Sequence, residues 1–127
     1  MADETRVGDV LLKREDLTKT VNSKRGIFVL RMADPLVRKG IIRNISASLN
    51  HAALDSIPAD DYFYVKAVET LRLTIIEKPD WWEGIDRCMD DDLITELYTA
   101  YLELEDGFRR LLRGNSPQGG GKKAKPA

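Results

Sequence analysis

Apolar positions in this chain change their spacing partway along. The first clusters are short: Val10-Leu11-Leu12, followed by the charged Lys13-Arg14-Glu15-Asp16, and Ile27-Phe28-Val29-Leu30. The second follows a turn-like stretch, Asn22-Ser23-Lys24-Arg25-Gly26. Short apolar runs with β-branched and aromatic residues beside turn formers predict strands, so the two clusters are expected to pair as a small hairpin or ribbon. Residues 1–8 carry no such cluster and are expected to fray.

From Asp34 the spacing becomes helical. Asp34-Pro35 sets a capping carboxylate before a proline at the first helical position, where the missing N–H costs nothing. Leu36, Val37, Gly40, Ile41, Ile45, Leu49 and Ala52 then recur at steps of three and four, predicting a helix to about His51, with Arg38, Lys39 and Arg43 on another face. Ser56-Ile57-Pro58 breaks the chain and begins a second helix, whose first turn carries Asp60 and Asp61 at the positive dipole end. Phe63, Tyr64, Ala67, Val68, Leu71, Ile75 and Ile76 make its apolar face, and Lys78-Pro79 stops it.

Trp81-Trp82-Glu83-Gly84-Ile85 reads as a connector or short helix. After Asp90-Asp91-Asp92 comes the longest helical pattern: Leu93, Ile94, Leu97, Tyr98, Tyr101, Leu104, Phe108, Leu111 and Leu112. Arg109, Arg110 and Arg113 complement the negative dipole end of that helix, and Gly114 can close it. The remainder is Ser, Pro, Gln, Gly, Lys and Ala, too polar to build a core. The expected fold is therefore mainly α: a helical domain of three main helices over residues 1–113 with a short N-terminal β element, then a disordered Gly/Lys tail over 114–127.

Composition adds exclusions. The chain has 127 residues, enough for one domain with its own core. No apolar run approaches the ~20 residues that span a bilayer, and the acidic start, Met1-Ala2-Asp3-Glu4, does not resemble a secretory signal. One cysteine, Cys88, fits a reducing cytoplasm, and one histidine, His51, leaves little for a zinc or His-based catalytic centre. The formal net charge of −1 is a cancellation. Residues 1–50 carry +4, residues 51–113 carry −8 and the tail carries +3, so the chain is electrostatically polar along its length.

Candidate chemistry is sparse. Asp90-Asp91-Asp92, with Asp86, contains carboxylates, but consecutive acids on an emerging helix point in different directions, and a helix cap with first-turn acids accounts for them. His51 and Cys88 show no orienting third group that would make a nucleophilic pair. Gly119-Gly120-Gly121-Lys122-Lys123 lacks the four-residue spacing and the Ser or Thr of a phosphate loop, so no nucleotide or other cofactor is expected. Arg38, Lys39 and Arg43, with Arg25, Arg31 and the tail lysines, are a possible phosphate-contacting set, though nucleic acid is disfavoured by the −8 of the following segment. Trp81-Trp82 stands out most: adjacent tryptophans do not easily share one core. One ring is expected under the junction of the second and last helices, leaving the other for a partner.

The order of these features resembles the tail assembly chaperones of long-tailed bacteriophages. The likeness covers Ile27 to Arg113: a strand-like start, a helix after Ala33-Asp34-Pro35, a helix closing in Ile75-Ile76-Glu77-Lys78-Pro79-Asp80-Trp81-Trp82, and a final helix from Asp91-Asp92-Leu93-Ile94-Thr95-Glu96-Leu97-Tyr98 to Phe108-Arg109. It implies a non-catalytic protein that coats the tape-measure protein in the host bacterial cytoplasm before the tail tube protein polymerises, and that is absent from the mature virion. Trp81, Trp82, Arg38, Lys39, Arg43, Tyr98 and Tyr101 are the partner-contacting candidates under this resemblance. The basic and acidic halves are also expected to meet head-to-tail and build open helical oligomers. The alternatives are a virion subunit retained as a head–tail connector or tail completion protein, and a small nucleic-acid-binding regulator.

Chaperones of this kind are often made in two lengths through a −1 ribosomal frameshift. The tail residues Gly121-Lys122-Lys123 permit the slippery string GGG-AAA-AAR. The nucleotide sequence is expected to use GGG at Gly121; GGC or GGT there, with no other slippery heptamer nearby, removes the frameshift from the reading.

Overall fold

In the computed structural model, residues 5–7, 10–50 and 56–114 are described. Strands β1 (Thr5–Val7) and β2 (Val10–Leu12) form an antiparallel ribbon. A single helical turn, α1 (Arg14–Leu17), leads into β3 (Thr18–Ser23) and β4 (Gly26–Arg31). Then come α2 (Pro35–Ser48), α3 (Ala59–Thr74), β5 (Ile75–Glu77), a 3-10 turn at Ile85–Arg87 and the long α4 (Asp91–Gly114). The sheet order is β3-β4-β5, antiparallel throughout. The fold is mainly helical, with α2, α3 and α4 as its main helices, but its sheet is larger than the expected β element.

Strand pairing departs from expectation. Ile27–Leu30 does lie in a strand, but its partner is Thr18–Ser23, with Val21 opposite Phe28 and Lys19 opposite Leu30. Val10–Leu12 pairs instead with Thr5–Val7, inside the segment expected to fray. β3 escapes an apolar search because Val21 is its one buried residue, in the sequence Thr-Lys-Thr-Val-Asn-Ser. Alternation is clean in β4, where Phe28 and Leu30 are buried and Ile27 faces out.

The helices follow their punctuation more closely. At α2 the Val37 N–H donates to the Asp34 carboxylate at 2.8 Å and Pro35 occupies the first turn. That helix ends at Ser48, short of the expected His51, and Asn50 takes a left-handed φ of 54°, a conformation Asn tolerates better than most residues. His51 and Ala52 lie outside the described residues. Of the expected stripe, Ile41 is buried, Val37 and Ile45 pack against the core, and Leu36 points outward.

α3 stops at Thr74, and Ile75–Glu77 becomes the third strand against Val29 and Leu30. Two β-branched isoleucines before Lys78-Pro79 suit an extended backbone, and β4 offers them an open edge. The inner face of α3 is Ala67, Val68, Leu71 and Thr74, whereas Phe63 and Tyr64 are partly exposed. α4 carries the core as expected: Leu93, Ile94, Leu97, Tyr98, Tyr101 and Leu104 are buried, and Phe108 and Leu111 pack at its far end. The Gly/Lys tail lies outside the described residues.

Gly26 sets the hairpin geometry. Its φ of +134° is a glycine conformation, and a Cβ there would come within 2.5 Å of Pro79 Cγ. Gly26→Ala is therefore expected to lower stability by about 2 kcal/mol in urea unfolding; an unchanged midpoint would mean that Pro79 does not press on this turn.

Candidate protein-docking surfaces

Two tryptophans from one connector take different places. Trp82 is half-buried and meets Phe28 edge-on, with ring centroids 5.0 Å apart. Trp81 also touches Phe28 edgewise at 6.2 Å but remains 52% exposed. Both rings thus meet the central strand, and Trp82 also borders a hollow with Leu71 near the end of α3. Division into one inward and one outward ring is as the sequence implied.

Trp81 is nonetheless anchored. Its indole N–H donates to the Arg25 carbonyl at 2.8 Å. Arg25 sits in the β3–β4 turn, where Ser23 Oγ donates to the Gly26 carbonyl and accepts from the Arg25 N–H. The Arg25 guanidinium then donates to Asp90 Oδ2 at 2.8 Å, and Asp90 Oδ1 accepts the Leu93 N–H at 3.2 Å, capping α4. One chain of contacts therefore joins connector, hairpin and α4.

These elements enclose an open cleft of about 990 Å³. Trp81 lies on one side and Met89, 95% exposed, on another. Lys24, Arg25 and Arg87 place positive charge at its edge, and Asp91 and Asp92 negative charge. Cys88 lines it too, half-buried, its thiol directed at the Asp90 carbonyl 3.7 Å away. Apolar side chains bordered by both signs of charge form a surface suited to an amphipathic segment.

The acidic candidates separate. Asp90 is a cap, and Asp86 turns to Arg72, which donates to both of its oxygens at 2.7 Å. Arg72 also binds Glu69 at 2.9 Å, and Ser48 Oγ donates to Glu69 Oε2 at 3.0 Å. This cluster ties the end of α2 to α3 and the 3-10 turn. Sequence reasoning missed it; the signal was Glu69 and Arg72, three residues apart on one helix face. Among the described residues no group of three His, Cys, Asp or Glu side chains is placed to hold a metal ion.

Arg38, Lys39 and Arg43 are exposed on α2, and Lys39 and Arg43 lie on the side away from Ile41. Tyr98 and Tyr101 are core residues. The Tyr98 ring packs on Phe63 at 5.4 Å, and Tyr101 Oη accepts the Ala33 N–H at 3.2 Å. Burial raises both phenols, Tyr101 to about 12. Neither tyrosine is available to a partner in the folded chain. His51 lies outside the described residues, so no position follows for it relative to Cys88. No helix among the described residues is long and apolar enough to cross a membrane.

No known protein family, curated protein or solved structure matches this chain.

The Arg72 guanidinium holds the Asp86 carboxyl below its ordinary 3.8, and Arg25 does the same to Asp90. A depressed folded value means that this stabilisation is complete above about pH 4 and is lost as pH falls through the folded value. The melting temperature is thus expected to drop on acidification below about pH 4, and Asp86→Asn with Asp90→Asn should flatten that drop. An equally steep acid limb in the double variant would place its origin elsewhere.

Proposed function

We propose that this chain is a non-catalytic tail assembly chaperone that holds segments of a phage tape-measure protein in the host cytoplasm. The observation that carries the reading is the cleft beside Trp81 and Met89. A half-exposed tryptophan and a nearly free methionine, one rigid and one adaptable, are side chains well suited to grip amphipathic helices of varied sequence. The sequence pattern from Ile27 to Arg113 adds to the reading through its resemblance to such chaperones, although Ile75–Glu77, taken there as the close of a helix, is a strand.

The mechanism is apolar capture without chemistry. A tape-measure helix laid over the cleft would bury its apolar stripe on Trp81 and Met89 and set its flanking charges against Lys24 and Arg87 or Asp91 and Asp92. Capture of this sort is reversible, as release before tube polymerisation requires.

Co-expression with the tape-measure protein of the same genome tests this. The two are expected to co-purify, and Met89→Glu should weaken the complex by about tenfold or more while leaving the melting temperature unchanged. Failure to capture the tape-measure protein would refute the reading. A fixed copy number of this chain in purified virions would instead favour a retained connector or completion subunit.

A further inference from the structure

α2 is held on one side only. Its buried residue is Ile41. Leu36 is 77% exposed and Ile42 61% exposed, and between them stand Lys39 and Arg43. At about 100° per residue Leu36, Lys39, Ile42 and Arg43 fill the half of the helix opposite Ile41, while Arg38, about 60° from Ile41, flanks the inner side. The sequence Pro-Leu-Val-Arg-Lys-Gly-Ile-Ile-Arg-Asn-Ile-Ser-Ala-Ser contains no carboxylate, and none of its three cations forms an ion pair among the described residues. Exposed aliphatic residues set among unpaired like charges leave α2 with an unpartnered face.

α4 presents the complement. From Asp91 to Asp106 it carries Asp91, Asp92, Glu96, Glu103, Glu105 and Asp106 and no cation. Asp92, Glu96, Thr99, Glu103 and Asp106 are all exposed, and their steps of four, three, four and three stack them along one stripe; within the chain Glu103 meets Lys19 at 3.5 Å and Asp106 meets Arg110, both at exposed positions that a second copy can share. Leu102, 41% exposed, lies at its border. From Asp92 to Asp106 this stripe runs about 21 Å, and the fourteen residues of α2 span about the same length.

We infer that the outer face of α2 docks on the acidic outer face of α4 in a second copy of this chain. Leu36 and Ile42 would meet Leu102, while Lys39 and Arg43 face Glu96 and Glu103. The expectation that a basic half meets an acidic half thereby narrows to one helix on each side. The two faces lie on different elements, so the contact is heterologous: each copy that gives its α2 still offers its α4. Such a contact propagates into a ring or an open chain instead of stopping at a dimer. It does not depend on tape-measure binding: Asp92, at the start of the stripe, borders the Trp81 cleft, but Lys39, Arg43, Glu96 and Glu103 lie outside it.

Sedimentation of the full chain at rising concentration, in about 0.05 M and about 0.5 M salt, reads this directly. Oligomers should grow with concentration and weaken by about tenfold or more in the higher salt. Lys39→Glu with Arg43→Glu should be monomeric, and so should Glu96→Lys with Glu103→Lys, because each then repels itself. Mixing the two variants should restore assembly, since the reversed faces complement each other. Circular dichroism of each variant separates loss of docking from loss of folding, and restoration on mixing requires both to be folded. A monomer at every concentration in low salt, oligomers that survive the α2 reversal, or no restoration on mixing would each overturn the inference. A monomer that shifts duplex DNA only with Lys39 and Arg43 intact would overturn it in favour of phosphate contacts.

Discussion

Phe28 is the side chain through which sheet and connector meet. It is fully buried in the central strand, with Trp82 edge-on at 5.0 Å and Trp81 at 6.2 Å. Edge-to-face ring pairs contribute about 0.5–1.5 kcal/mol each beyond the area they bury. The connector has no helix or strand of its own at the tryptophans, so these rings fix where it runs. Pro79 is then brought against Gly26, and the Trp81 indole within reach of the Arg25 carbonyl. From Arg25 the constraint passes to Asp90 and so to the first turn of α4. Removing the ring contacts would leave the hairpin turn, the connector and the start of α4 without a common reference.

The cleft follows from this arrangement. Trp81 borders the cleft because its neighbour Trp82 takes the inward place and the ring contacts hold both. Met89 stands free because Cys88 and Asp90 turn toward the core and the cap. α2 stands outside this system. It rests on α3 through Ile41 and through Gly40, where Leu73 Cδ1 would lie 3.3 Å from a Cβ, and its other side remains exposed. Charge separation at the level of the chain thus becomes a basic helix and an acidic helix that do not neutralise one another by ion pairs among the described residues.

Legibility in the sequence tracked how local the deciding interaction was. Asp34-Pro35 and Asp90 act within one turn of their own helices, and both helix starts were readable. The stripe of α4 was readable because its whole inner face is apolar over many turns. Tyr98 and Tyr101 belong to that stripe, and their place in it was already evidence for the core over a partner-facing role. β3 was not readable, since one buried valine gives no alternation and its pairing depends on a two-residue turn closed by Gly26. Ile75 and Ile76 continued the helical spacing of α3 but became a strand, because β4 had an edge to offer and Pro79 lay ahead. The inward and outward division of Trp81 and Trp82 was readable from their adjacency; the identity of Phe28 as the ring beneath them was not, because it lies more than fifty residues away in the chain. The Arg72 cluster escaped for the same reason, joining Ser48, Glu69 and Asp86 across three elements.

Phe28 and Trp82 act as one packed unit that places the cleft. A double-mutant cycle in urea unfolding, with Phe28→Leu, Trp82→Leu and the double variant, measures their coupling directly. A coupling energy of about 1 kcal/mol is expected, so that the double variant loses less than the two single variants together. Strict additivity of the two losses would contradict it.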